Sequence, residues 1–268
     1  MRTRSLCLLT VVGLLAGTSL SAGEPDPLGS VNWEGVRDYA FGTAPVVFDD
    51  KHVILDVPRK VEDGGQVPVA VRVIGLGDVR EIVVLADLNP APRAVTFHPL
   101  LAEPRLAMRI KVNEATAVRA ATLTSDGVWH VSGANVDAPG GGCTTASASQ
   151  SAQSWKTQLN RVQAQVWHRI DNGDRLRLRI IHPMNTGFVT NIPAFFIDHL
   201  VVKTAEGRIV AEMAPAEPMA ENPTITVDLT KAGSSAQGYV VEWSDTDGNQ
   251  GSAKIAPARQ TLAAEGRL

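Results

Sequence analysis

Short runs of β-type residues recur along this chain roughly every ten residues, each closed by a turn signal, and that rhythm restricts the fold more than any single motif. His52 to Val57 precedes the turn residues Glu62-Asp63-Gly64-Gly65, and Val67 to Val73 alternates like a half-buried strand. Val79 to Ala86 runs into Asn89-Pro90-Ala91-Pro92. Ala94 to His98, Arg105 to Val112, Thr116 to Leu123 and Val128 to Val136 follow, the last two separated by Ser125-Asp126-Gly127. About seven strands with almost no helical periodicity predict an antiparallel immunoglobulin-like sandwich. The pattern then resumes at Val162 to Trp167, Arg175 to His182, Phe195 to Lys203, Arg208 to Met213, Thr224 to Leu229, Gly238 to Trp243 and Ser252 to Ile255. In Arg175 to Ile180 apolar residues alternate with arginines, so one face is buried and Arg175, Arg177 and Arg179 stand on the other. The expected fold class is all-β: two immunoglobulin-like antiparallel β-sandwich domains joined by a Gly/Ser-rich linker. Residues 23–137 form the first and 155–268 the second, with residues 24–48 a short helical or irregular lead-in.

Between them, residues 138–154 are small and polar, a composition that predicts a flexible linker. This segment holds Cys143 behind Gly140, Gly141 and Gly142. The only other cysteine, Cys7, lies in an N-terminal segment with the order of a secretory signal peptide: Arg2 and Arg4, an apolar run from Leu6 to Leu15, then small residues to Gly23. Residues 1–22 are therefore expected to be removed on export, leaving Cys143 as the one thiol of the mature chain. An unpaired cysteine in an oxidising compartment invites a functional reading. The glycines, Pro139 and the two following threonines offer no apolar pocket for the sulfur. The expectation is an exposed thiol on an arm reaching up to about 20 Å from the last strand.

With 44% apolar and 20% charged residues and a net charge of -3, the chain has no basic excess, which argues against nucleic acid as a partner. No segment after the N-terminal run approaches the ~20 apolar residues of a membrane-spanning helix.

Several motifs together resemble one known pair of families. The first half resembles SoxY through Val67-Pro68-Val69, Asn89-Pro90-Ala91-Pro92 and Gly141-Gly142-Cys143. The second is similar to SoxZ through His182-Pro183-Met184-Asn185-Thr186-Gly187, Ile192-Pro193-Ala194-Phe195-Phe196-Ile197, Glu221-Asn222-Pro223 and Trp243-Ser244-Asp245. The resemblance, to a fused SoxYZ-like carrier of the kind associated with quinoprotein dehydrogenases, implies two sandwiches pairing within one chain and no catalytic centre or cofactor. It also implies a periplasmic location and a cysteine presented to sulfur-oxidation enzymes or a quinoprotein dehydrogenase. The chain departs from SoxY in one respect: Thr144 and Thr145 follow the cysteine and the chain continues, closing the arm into a loop.

The leading reading is thus a non-catalytic carrier that holds a sulfur-containing fragment covalently on Cys143. One alternative is a binding or assembly module in which the cysteine is incidental; another is an enzyme pairing Cys143 with a histidine base. A flexible glycine segment disfavours the enzyme, because catalysis needs fixed geometry. His182 and Met184 have the donor types of a copper site, but with Pro183 between them a structural turn is the preferred reading and no metal is expected. Asp245-Thr246-Asp247-Gly248-Asn249 lacks the glycine and glutamate of a calcium loop and reads as a hairpin. Arg175, Arg177 and Arg179 are candidate contacts for an anion or an acidic partner.

Overall fold

The computed structural model describes residues 25–146 and 154–258. The expected signal segment, residues 1–22, lies outside them, as does the serine-rich stretch 147–153 of the linker.

The lead-in is helical: α1 (Trp33–Phe41) ends at Gly42, whose φ of 58° favours glycine. In the first half it precedes β1 (Val46–Phe48), β2 (Val53–Asp56), β3 (Val67–Val73), β4 (Val79–Ala86), β5 (Arg93–His98), β6 (Ala102–Ile110), β7 (Thr116–Thr124) and β8 (Trp129–Val136). The second half supplies β9 (Val162–His168), β10 (Asp174–Ile180), β11 (Ile197–Thr204), β12 (Ile209–Pro215), β13 (Thr224–Leu229), β14 (Tyr239–Asp245) and β15 (Gln250–Ile255). Alternation along β3 and β10 sends every second residue into the core, as the sequence pattern requires.

These strands form two sheets, and both run through both halves. The nine-stranded sheet has the order β1-β8-β7-β4-β5-β12-β11-β14-β15, and the six-stranded sheet the order β2-β3-β6-β13-β10-β9. The halves are joined by strand pairing: β5 meets β12 from His98 opposite Glu212 to Val95 opposite Pro215, and β6 meets β13 at Ala107 opposite Thr226 and Leu106 opposite Val227. The two sandwiches therefore share one continuous core, in which Phe97, Leu106 and Ile110 belong to the same buried cluster as Met213, Ile225 and Val227. Each such side chain contributes about 1.5–3 kcal/mol when taken from water. The halves are thus joined by strand pairing in both sheets as well as by the Gly/Ser segment.

A second buried cluster lies where α1 packs Trp33, Val36 and Phe41 on Val83, Leu85, Ala121, Trp129 and Val131. Below it, Arg119 is 1% exposed; its guanidinium donates to Asp26 at 2.8 and 2.9 Å and to Asp87 at 2.8 and 3.0 Å, with the Trp33 ring 4.0 Å from its Cζ. A buried cation persists only when paired in this way, so the cluster fixes the lead-in to β7.

Candidate functional site

Cys143 does not stand on an extended arm. After β8 the chain forms a tight turn: Gly141 N donates to Asn113 O at 2.8 Å, and Thr144 N and Thr145 N both donate to Gly141 O, at 3.1 and 2.8 Å. Thr144 Oγ1 donates to Asn113 Oδ1 at 3.1 Å, and Thr186 Oγ1, from the second half, donates to Cys143 O at 2.7 Å. Two glycines let the turn approach the first half this closely. A Cβ on Gly142 would lie 2.2 Å from Val112 O and 2.5 Å from Gly64 O, and one on Gly64 would lie 2.7 Å from Val112 O. Gly141 has φ +94°, a conformation glycine adopts freely.

The thiol is 1% exposed, which overturns the expectation of an open sulfur on a long arm. That expectation equated burial with apolar side chains. Here Gly64 and Gly142, lacking side chains, let the turn lie directly against the backbone of the first half, and Thr186 of the second half holds the Cys143 carbonyl. The cysteine lies at the seam between the halves.

Burial pushes the Cys143 thiol up to about 11, partly opposed by Lys111, with Glu217 acting in the same sense as burial. In the docked turn at neutral pH the sulfur is a protonated, weakly nucleophilic thiol. Lys111 follows β6 and is 5% exposed; its Nζ donates to Met184 O and, at 3.2 Å, to Glu217 O. Burial lowers it to about 8, against the opposing pull of Cys143, Glu221 and Glu217. A groove of about 310 Å³ runs beside the turn, walled by Lys111, Gly64, Gln66, Gly140 to Gly142, Thr145 and Glu221.

The remaining motifs fall into place around this seam. His182 is fully buried; its Nδ1 accepts from Met184 N at 3.2 Å, its ring packs 4.4 Å from Phe195, and its Nε2 lies 3.5 Å from Asp245 Oδ2. Met184 Sδ accepts from Ile197 N at 3.4 Å. Both candidate donors are thus engaged in shaping a turn, whose Met184 has φ +49°. Asp245 Oδ1 accepts from Asp247 N and Asn249 N, which makes the acidic run the β14–β15 hairpin.

The arginine row divides. Arg175 donates to Asp228 at 2.7 and 3.0 Å, and Arg105 and Arg169 approach the same buried carboxylate at 3.2 and 3.5 Å, so Arg175 is engaged in a structural ion-pair network. Arg177 and Arg179 are exposed and, with Arg109 and Trp167, line an open groove of about 650 Å³ on the outer face of the six-stranded sheet. Gln66 and Glu221 border both this groove and the one beside Cys143. Lys111, Asn113 and Thr186 were not singled out from sequence. Lys111 was hidden because a lysine ending an alternating run reads as solvated.

Residues 37–143 match the family model described as sulfur oxidation protein SoxY, and residues 161–256 the one described as sulphur oxidation protein SoxZ. The first match ends on Cys143. No curated relative matches the chain in sequence. Among solved structures, the sulfur carrier protein SoxY from Chlorobium limicola f thiosulfatophilum aligns at 17% identity over 40% of this chain and 96% of that one, with a TM-score of 0.36. A putative superoxide reductase from Thermotoga maritima aligns at 15% identity over 36% of this chain and 94% of that one (TM-score 0.30). A superoxide reductase (neelaredoxin) from Ignicoccus hospitalis aligns at 17% identity over 35% and 94% (TM-score 0.29).

Proposed function

Since the chain belongs to the SoxY and SoxZ families, with one domain of each in a single polypeptide, we propose that it carries a sulfur-containing fragment covalently on Cys143 and presents it to partner enzymes. The two families are non-catalytic carrier and adaptor proteins of sulfur oxidation, and the chain is a carrier of that kind. The observation that carries the finer reading is the place of Cys143. It sits at the end of the SoxY match, in a glycine turn held by a few hydrogen bonds over a groove with room for an attached group.

Docked, the thiol is shielded; loading requires the turn to lift off. Joining the Cys143 thiol to a fragment that itself ends in a thiol-level S–H forms an S–S bond and releases both S–H protons and two electrons, which a partner redox enzyme takes up. The docked turn is then a storage state, and the reactive state is the lifted one. Export through residues 1–22 would place this chemistry in the periplasm, with sulfur-oxidation enzymes or a quinoprotein dehydrogenase as partners. Arg177, Arg179 and Arg109, beside the cysteine groove, would receive an acidic partner surface.

The burial of Cys143 favours a second reading, an assembly module whose cysteine only packs. Cells oxidising reduced sulfur separate the two. Cys143→Ser, which keeps the turn's size, should leave the protein folded and abolish oxidation. Normal oxidation by the serine variant would favour the assembly module.

A further inference from the structure

We propose that the outer face of the six-stranded sheet holds a docking trough, built jointly by both halves, for a short extended acidic segment of a partner protein; this rests on the acidic-partner reading above and gives that partner's form. One row of residues runs straight across the sheet. Ala70 on β3 stands opposite Ala107 on β6, Ala107 opposite Thr226 on β13, Thr226 opposite Arg177 on β10, and Arg177 opposite Gln165 on β9. All five face outward, because their neighbours Val69, Leu106, Ile225, Leu176 and Val166 fill the core. The first three are small and make a floor, with arginines on either side: Arg72 and Arg105 along one, Arg109 and Arg179 along the other. Two open grooves of about 650 and 520 Å³ adjoin there, sharing Arg109, Arg177 and Thr224. Neither half alone contains this trough, since its floor crosses the β6–β13 pairing.

The charge on the face is one-sided where the grooves meet. Asp228 is buried and already held by Arg105, Arg169 and Arg175. Arg109, Arg177 and Arg179 are exposed and form no ion pair among the described residues. A planar guanidinium takes a carboxylate through two parallel hydrogen bonds, which suits aspartate and glutamate side chains. The row spans about 19 Å, the reach of about six extended residues, and an extended strand is narrow enough to lie on the floor with alternate side chains toward each wall. Glu221 borders one groove and Asp56 the other. These carboxylates repel negative charge beyond the middle, which favours a short acidic run over the unbroken phosphates of a nucleic acid. Since Glu221 and Gln66 also border the groove beside Cys143, one end of the occupant lies next to the glycine turn.

Two fluorescent peptides test this on the full chain by anisotropy at about 50 mM salt. In one of about eight residues, aspartate alternates with serine; the other carries the same aspartates on one face of an alanine-based helix held by a hydrocarbon staple. The extended peptide should bind the tighter. Arg109→Gln with Arg177→Gln should weaken it about tenfold, whereas Lys254→Gln on β15 should change it less than about twofold. Ala107→Leu, which fills the floor and leaves the charge alone, should also weaken it. Should these variants fold poorly, an amide chemical-shift map of the wild type answers instead, with the largest shifts expected at Ala70, Ala107 and Thr226. Equal binding of the helical peptide, full binding by Ala107→Leu, or shifts elsewhere overturns the trough and leaves an acidic partner standing. If neither peptide binds at about 1 mM, the acidic-partner reading falls as well. Tighter, arginine-dependent binding of an oligothymidylate or of phosphatidylglycerol vesicles assigns the face to phosphate and overturns the inference. None of these outcomes involves the thiol, so carriage on Cys143 is judged separately.

Discussion

At the scale of single residues, the glycines before Cys143 have different tasks. Gly142 is wedged against Val112 O and Gly64 O, whereas a Cβ on Gly140 would meet nothing nearer than Asn113 O at 3.8 Å. Gly142→Ala therefore forces the turn outward, at a cost of about 1–3 kcal/mol in docking. That should speed alkylation of the native thiol about tenfold or more, while Gly140→Ala should leave the rate unchanged. Equal rates in the two variants would mean that Gly142 does not gate the sulfur. The sequence pointed to Cys143 because it is the only thiol left after the N-terminal segment, and to the glycines by composition. It could not indicate burial, because small residues serve equally a loose linker and a close backbone stack. Only the approach of Gly64, nearly eighty residues away along the chain, decides between them.

At the scale of elements, the chain leaving β10 holds a buried histidine whose titration is set by burial. His182, just past β10, is lowered to about 4 by burial, only partly offset by Asp245, and further lowered by Lys111. Unfolded, it binds a proton near 6.5; folded, it resists until about 4. The native state thus binds fewer protons between those values, so this contribution is complete above about 6.5 and is lost as pH falls toward about 4. The loss is on the order of 3 kcal/mol. Denaturant melts should show stability dropping over that window, and His182→Gln should flatten the drop; an unchanged slope would show that other groups dominate. Most strands were legible, since alternation such as Leu176-Arg177-Leu178-Arg179 marks its own faces. Neighbours were not. Nothing in Val95 to His98 or Pro215 to Glu212 says that these runs pair, because alternation fixes which side is buried and leaves the partner open. The short β1 was missed for the same reason in smaller form: its three residues owe their strand to parallel pairing with β8.

At the scale of the whole molecule, the continuous sheets turn two family domains into one body, and the cysteine is placed where that body closes. Its carbonyl is held by Thr186 of the second half, its turn rests on Gly64 and Val112 of the first, and Lys111 bridges to Met184 across the seam. The second half is thus more than a passenger on the carrier: it supplies part of the sheath from which the thiol must be released. Covalent carriage on Cys143 is tested most directly by the intact mass of the native protein, recovered without reductant from cells oxidising reduced sulfur. A population heavier than the mature chain by a sulfur-containing group is expected. That group should be removed by dithiothreitol, localise to the peptide containing Cys143, and be missing from Cys143→Ser. A single unmodified mass under those conditions, identical in wild type and Cys143→Ser apart from the substituted atom, would contradict it.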